Sequence, residues 1–84
     1  MGSEMCIRDR VREDVAQKKL GKAIRALRTD LGYSQEDFAG ACGLHRTYFG
    51  AVERGERNIS LQNIVKISAA LEITASRLLQ KARL

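Results

Sequence analysis

Arg46, Thr47 and Ala51 offer the chemistry of a surface that reads base edges, and their neighbours that of a surface that holds phosphate. A guanidinium such as that of Arg46 can donate to guanine O6 and N7 together, which discriminates by about 1–3 kcal/mol; a phosphate is its alternative partner. Thr47 offers a hydroxyl to a base or a phosphate and a methyl to thymine. Ala51, one turn later on the same helical face, can meet a thymine methyl but cannot hydrogen-bond. Gly50 has no side chain there, which either allows a close approach or gives up a contact. Arg54, Arg57 and Asn58 suit the phosphate backbone, the last two from a loop beyond the reading segment. His45 either caps a helix or touches phosphate, and Tyr48 either bonds a phosphate or stacks on the core beside Phe49. With so few polar readers, DNA shape and deformability would carry part of any sequence preference.

Two short helices must position these groups. Within residues 35–54, Phe38 and Cys42 lie one turn apart, Leu44 follows the break, and Phe49 and Val52 form a second stripe. Ala39 is small where two helices would cross closely, and Gly43 supplies the positive φ that breaks the chain between them. The second helix keeps a polar outer face, as a helix entering the major groove must. Gln35 opens the first helix, where free backbone amides favour an anion; a plain surface residue is the other reading. Cys42 falls on an apolar stripe and reads as a small core side chain, with a redox-sensing thiol as the alternative. Glu53 is an acid in a basic element and does not suit a base contact.

Apolar residues recur at helical spacing along the chain, without proline, internal repeat or period-two alternation, so the fold class is all-α. Helix 1 is expected from about Arg12 to Leu31, with Leu20, Ile24, Leu27 and Leu31 inward and Gly32 closing it. Ser34 caps helix 2, with Asp37 at the third position of a capping box. Helix 3 spans about Arg46 to Arg54 and ends at Gly55. Ser60 caps helix 4, whose inward stripe is Leu61, Ile64, Ile67 and Leu71. Thr74 caps helix 5, with Leu78 and Leu79 as its apolar pair.

A chain of 84 residues has room for one small domain. Its 15 Lys+Arg against 10 Asp+Glu give +5, which favours a polyanionic partner, although mildly basic domains without one are common. Two cysteines, Cys6 and Cys42, make no disulfide framework, and a reduced, cytoplasmic setting is the simpler expectation. No run approaches the roughly 20 apolar residues of a membrane span. There is no nucleophile–base–orienter set, no paired carboxylate pocket and no glycine-rich phosphate loop, so an enzyme is not expected. His45 stands without a second ligand pattern, so neither a metal nor a cofactor is expected, and no small-molecule effector is evident.

Residues 1–10 are set aside. From Gly2 to Arg10 they resemble, residue for residue, the translation of a common transposase-library sequencing adaptor, whose leading GTG would start the chain at Met1. A charged N-terminal arm is the alternative. On the adaptor reading, residues 11–84 form the single native domain, and Cys6, Arg8 and Arg10 have no role.

Ser34-Gln35-Glu36-Asp37-Phe38-Ala39, then Gly43-Leu44-His45-Arg46-Thr47-Tyr48, then Glu53-Arg54-Gly55-Glu56-Arg57-Asn58 together resemble the Cro and phage-repressor type of helix-turn-helix domain, the XRE family. Within it, the Arg46-Thr47-Tyr48 and Glu53-Arg54…Arg57-Asn58 combination is similar to restriction–modification controller proteins. The resemblance implies a five-helix, lambda-repressor-like domain, a phosphate contact at Gln35, and an ion pair between Arg28 and Glu53 tying the reading helix to helix 1. The leading function is a regulator that binds double-stranded DNA as a homodimer on an inverted repeat, its partner surface coming from the bundle itself and expected on helix 5 at Ile73, Leu78 and Leu79. The competing function is an antitoxin or protein-interaction module that uses DNA only for autoregulation.

Overall fold

In the computed structural model the chain forms α1 (Gly2–Asp30), α2 (Gln35–Cys42), α3 (Arg46–Glu53), α4 (Leu61–Ala70) and α5 (Ala75–Lys81). Main chain is described for residues 2–84 and side chains for residues 14–84, so the reading of residues 1–10 as a non-native arm falls outside the described side chains.

Each of the four shorter helices starts where a side chain replaces a missing intrahelical acceptor. Ser34 accepts from the Asp37 N–H at 3.0 Å, Ser60 from Asn63 at 3.1 Å and Thr74 from Arg77 at 3.1 Å. His45 does the same for α3 through Nδ1, which accepts from the Thr47 N–H at 3.3 Å. All five helices stop the same way, with paired backbone bonds reaching past the last turn to carbonyls inside it. After α2, for example, the Gly43 N–H donates to Gly40 O at 3.1 Å and the Leu44 N–H to Ala39 O at 2.9 Å. Such an ending needs a left-handed residue, and Gly32, Gly43 and Gly55 supply it after the first three helices. After α4 and α5 the position is taken by Glu72 (φ 61) and Arg83 (φ 62).

The core gathers one stripe from each helix: Leu20 and Ile24; Phe38, Ala39 and Cys42; Phe49 and Val52; Ile67 and Leu71; Leu78. Phe38 and Phe49 meet at 5.3 Å between ring centroids, which locks α2 against α3. Two expected core residues lie outside it. Leu31 is 45% exposed, because α1 has already ended at Asp30 and the chain turns away. Leu61 is 71% exposed. At about 100° per residue it sits some 80–120° around α4 from the face that Ile67 and Leu71 define.

α1 packs on α3 and α5, α2 on α3 and α4, and α4 on α5. The α1–α3 approach is closest at Gly21, where an added Cβ would lie 2.4 Å from the Glu53 carbonyl oxygen and 2.6 Å from that of Val52. Only glycine fits there.

Candidate nucleic-acid interface

The buried face of α3, made by Phe49 and Val52, turns its N-terminal side chains outward: Arg46 and Thr47 are both exposed, and Ala51 is half-buried. Arg46 Nη1 stands 3.6 Å from Glu36 Oε2, with the two side chains 65% and 75% exposed. A pair so wet is worth at most about 1 kcal/mol, so Arg46 remains available to another acceptor. Because His45 Nδ1 accepts from the backbone, the ring proton of the neutral imidazole belongs on Nε2, which points a donor away from the helix. Capping and outward donation are therefore compatible in His45.

Behind α3 stands a buried ionic cluster. Arg28 Nε donates to Glu53 Oε2 at 2.6 Å and Arg28 Nη2 to Glu53 Oε1 at 3.2 Å, while Nη1 donates to the Tyr33 carbonyl at 2.8 Å. Gln35 Nε2 donates to Glu53 Oε1 at 2.9 Å. One carboxylate thus holds α1, α2 and α3 in register, and the Gln35 amide is oriented by the protein before any ligand arrives. A Cβ at Gly50 would come within 3.3 Å of both Gln35 Oε1 and Arg54 Nη1. The glycine therefore leaves room for two long polar side chains at the middle of α3.

The family HTH_3, described as helix-turn-helix, matches residues 24–78. The chain belongs to it. Control protein C.MunI of a Mycoplasma species is 53% identical over 57 residues, covering 68% of this chain and 74% of that protein. Control protein C.BamHI of Bacillus amyloliquefaciens is 48% identical, covering 70% of this chain and 74% of its own length. A hypothetical transcription factor of Neisseria meningitidis is 52% identical over 56 residues; there the chain spans only 53% of the relative's length. The crystal structure of the restriction-modification controller protein C.AhdI from Aeromonas hydrophila superposes with a TM-score of 0.72 at 50% identity, covering 74% of this chain and 94% of that one. The chain is thus an HTH_3 DNA-binding regulator.

The remaining candidate residues fall into two groups. Arg54 lies just past α3 and pairs with Glu56 at 3.0 Å, both more than half exposed. Tyr48, Arg57 and Asn58 form the second group, at the loop before α4. The Tyr48 hydroxyl donates to the Asn58 carbonyl at 3.4 Å and accepts from Asn63 Nδ2 at 3.0 Å, and the Arg57 guanidinium lies 5.5 Å from its ring centroid. Asn58 Oδ1 accepts from Gln17 Nε2 of α1. Tyr48 would have to give up its long bond to Asn58 to donate to a phosphate.

One expectation needs correction. Leu78 is fully buried and belongs to the core, so it cannot form a partner surface. Ile73 and Leu79 are half-buried and pack against that core. Ile73 is drawn inward by the α4 ending, where its N–H donates to Ser68 O at 3.0 Å. The large apolar side chains exposed on α4 are Leu61 and Val65, at 71% and 52%. Sequence reading also passed over Lys18, Lys22 and Arg25, which face the cleft containing Gln35 and Arg54; their helical spacing was the available signal. Cys42 is buried, and burial pushes its thiol from 9.0 up to about 11. It is protonated and unreactive at neutral pH, which disfavours a redox sensor.

Proposed function

We propose that this chain works as a homodimer on an inverted-repeat operator, in the manner of a controller protein, inside the cytoplasm. α3 enters the major groove with Arg46, Thr47 and Ala51 toward the bases. Gln35, His45, Tyr48, Arg54, Arg57 and Asn58 hold the backbone on either side. Residues 11–84 make up the working domain. The supporting observation is the division of α3: Phe49 and Val52 are buried, while Arg46 and Thr47 project from its capped N-terminal turn. Two such helices related by a two-fold axis would meet successive grooves about 34–36 Å apart.

The exposed Leu61 and Val65 favour α4 as the dimer surface, since they lie one turn apart on a single helical face. No catalytic role enters this reading; regulation follows from occupancy of the operator.

Selection of bound sites from a random DNA pool tests binding, sequence and half-site spacing together. Arg46→Ala should then weaken binding to the selected site by about 1–3 kcal/mol and relax the preference at one position per half-site. If affinity instead falls equally for all sequences, Arg46 holds phosphate rather than a base.

A further inference from the structure

Lys18, Lys22 and Arg25 recur along α1 at i, i+4 and i+7, which places them on one helical face. All three are exposed. They line a cleft of about 480 Å³ with Gln35, Arg54 and the Arg28–Glu53 pair. Arg28 is neutralised by Glu53, and Arg54 leans on Glu56. Among the described residues no carboxylate lies within 4.0 Å of Lys18, Lys22 or Arg25.

The simplest structural use of such cations is to offset the negative end of α3, whose last carbonyls abut α1 at Gly21. That end carries only about half an elementary charge, felt within a turn, so it does not account for three cations spread along two turns. Their span is about 10 Å along the helix axis. The cleft also adjoins the middle of α3, since Gln35 and Arg54 both line it and both touch the space over Gly50.

We infer that Lys18, Lys22 and Arg25 form a second phosphate site, in which α1 follows the DNA backbone beside the groove that α3 occupies. The inference rests on the DNA-binding reading above. The two lysine ammonium groups act there as point charges and the Arg25 guanidinium as a fork on phosphate oxygens, so the site adds affinity without sequence information.

The test measures affinity of the full chain against salt concentration, by fluorescence anisotropy, on a selected duplex and on an unrelated one. Lys18→Gln, Lys22→Gln and Arg25→Gln, singly and together, are compared with Lys19→Gln, an exposed cation of α1 outside the cleft. Each cleft substitution should lower the slope of log K against log[salt] by about 0.9 per copy bound. Both duplexes should weaken by the same factor, and Lys19→Gln should leave the slope alone. Circular dichroism confirms that each variant remains helical, and the single variants carry the test if the triple one does not fold. Binding with an unchanged slope in the cleft variants overturns this site alone, and so does a loss confined to the selected duplex. A wild-type chain that binds neither duplex overturns the DNA-binding reading and the site with it.

Discussion

Glu53 shows how one side chain can serve stability and recognition together. Its carboxylate is nearly withdrawn from water, and it receives bonds from Arg28 and Gln35. Glu53→Ala strands the Arg28 guanidinium in the interior and should lower stability by about 3–5 kcal/mol. Arg28→Met/Glu53→Leu removes both charges and should cost clearly less than either single change. Urea midpoints read both outcomes, and a wild-type midpoint for Glu53→Ala would show that the pair adds nothing. The pair was foreseeable only through family resemblance, because no local spacing links residues 28 and 53. The bond from Gln35 had no sequence signal at all. It spans 18 positions and depends on how α2 meets α3.

Among the elements, starts were more legible than stops. Ser34, Ser60 and Thr74 have short side chains that accept from the first turn, so they announce a helix directly. Gly32, Gly43 and Gly55 announce an end equally well. Glu72 and Arg83 do not, because left-handed backbone is unusual for residues with a Cβ. Glu72→Gly should therefore stabilise the chain by about 0.5–1 kcal/mol, by relieving that conformation where the bond geometry already exists. Thermal unfolding measures the gain; a lower midpoint would show that the Glu72 side chain contributes more than its backbone strain removes. Leu61 illustrates the limit of stripe counting. It is apolar and lies near the spacing of Ile64, Ile67 and Leu71, yet the accumulated angle carries it to the surface.

At the scale of the whole molecule, the exposed side chains decide what the core residues cannot. The α2–α3 unit was legible because its buried positions are apolar at helical spacing and its break is a glycine. The proposed partner surface was not, because Leu61, Leu78 and Leu79 are alike in type and only the packed bundle says which stays exposed. Leu61→Glu/Val65→Glu should keep the helical content but give a monomer in sedimentation. Affinity for a duplex with two half-sites should fall by about 10²-fold or more, since joining two weak contacts is what supplies it. An unmutated chain that sediments as a monomer and grips one half-site as tightly as two would sink the dimer.

Gly21 gives the molecule an unexpected genetic weak point. The methyl of an alanine there would press on carbonyl oxygens of the α3 backbone, which cannot swing aside as a side chain would. α1 would have to back away from α3, drawing Arg28 from Glu53 and shifting the aim of Arg46. Every glycine codon is one nucleotide from an alanine codon. A change conservative in sequence, at a residue with no side chain to offer a base or phosphate, would then read as a loss of operator recognition.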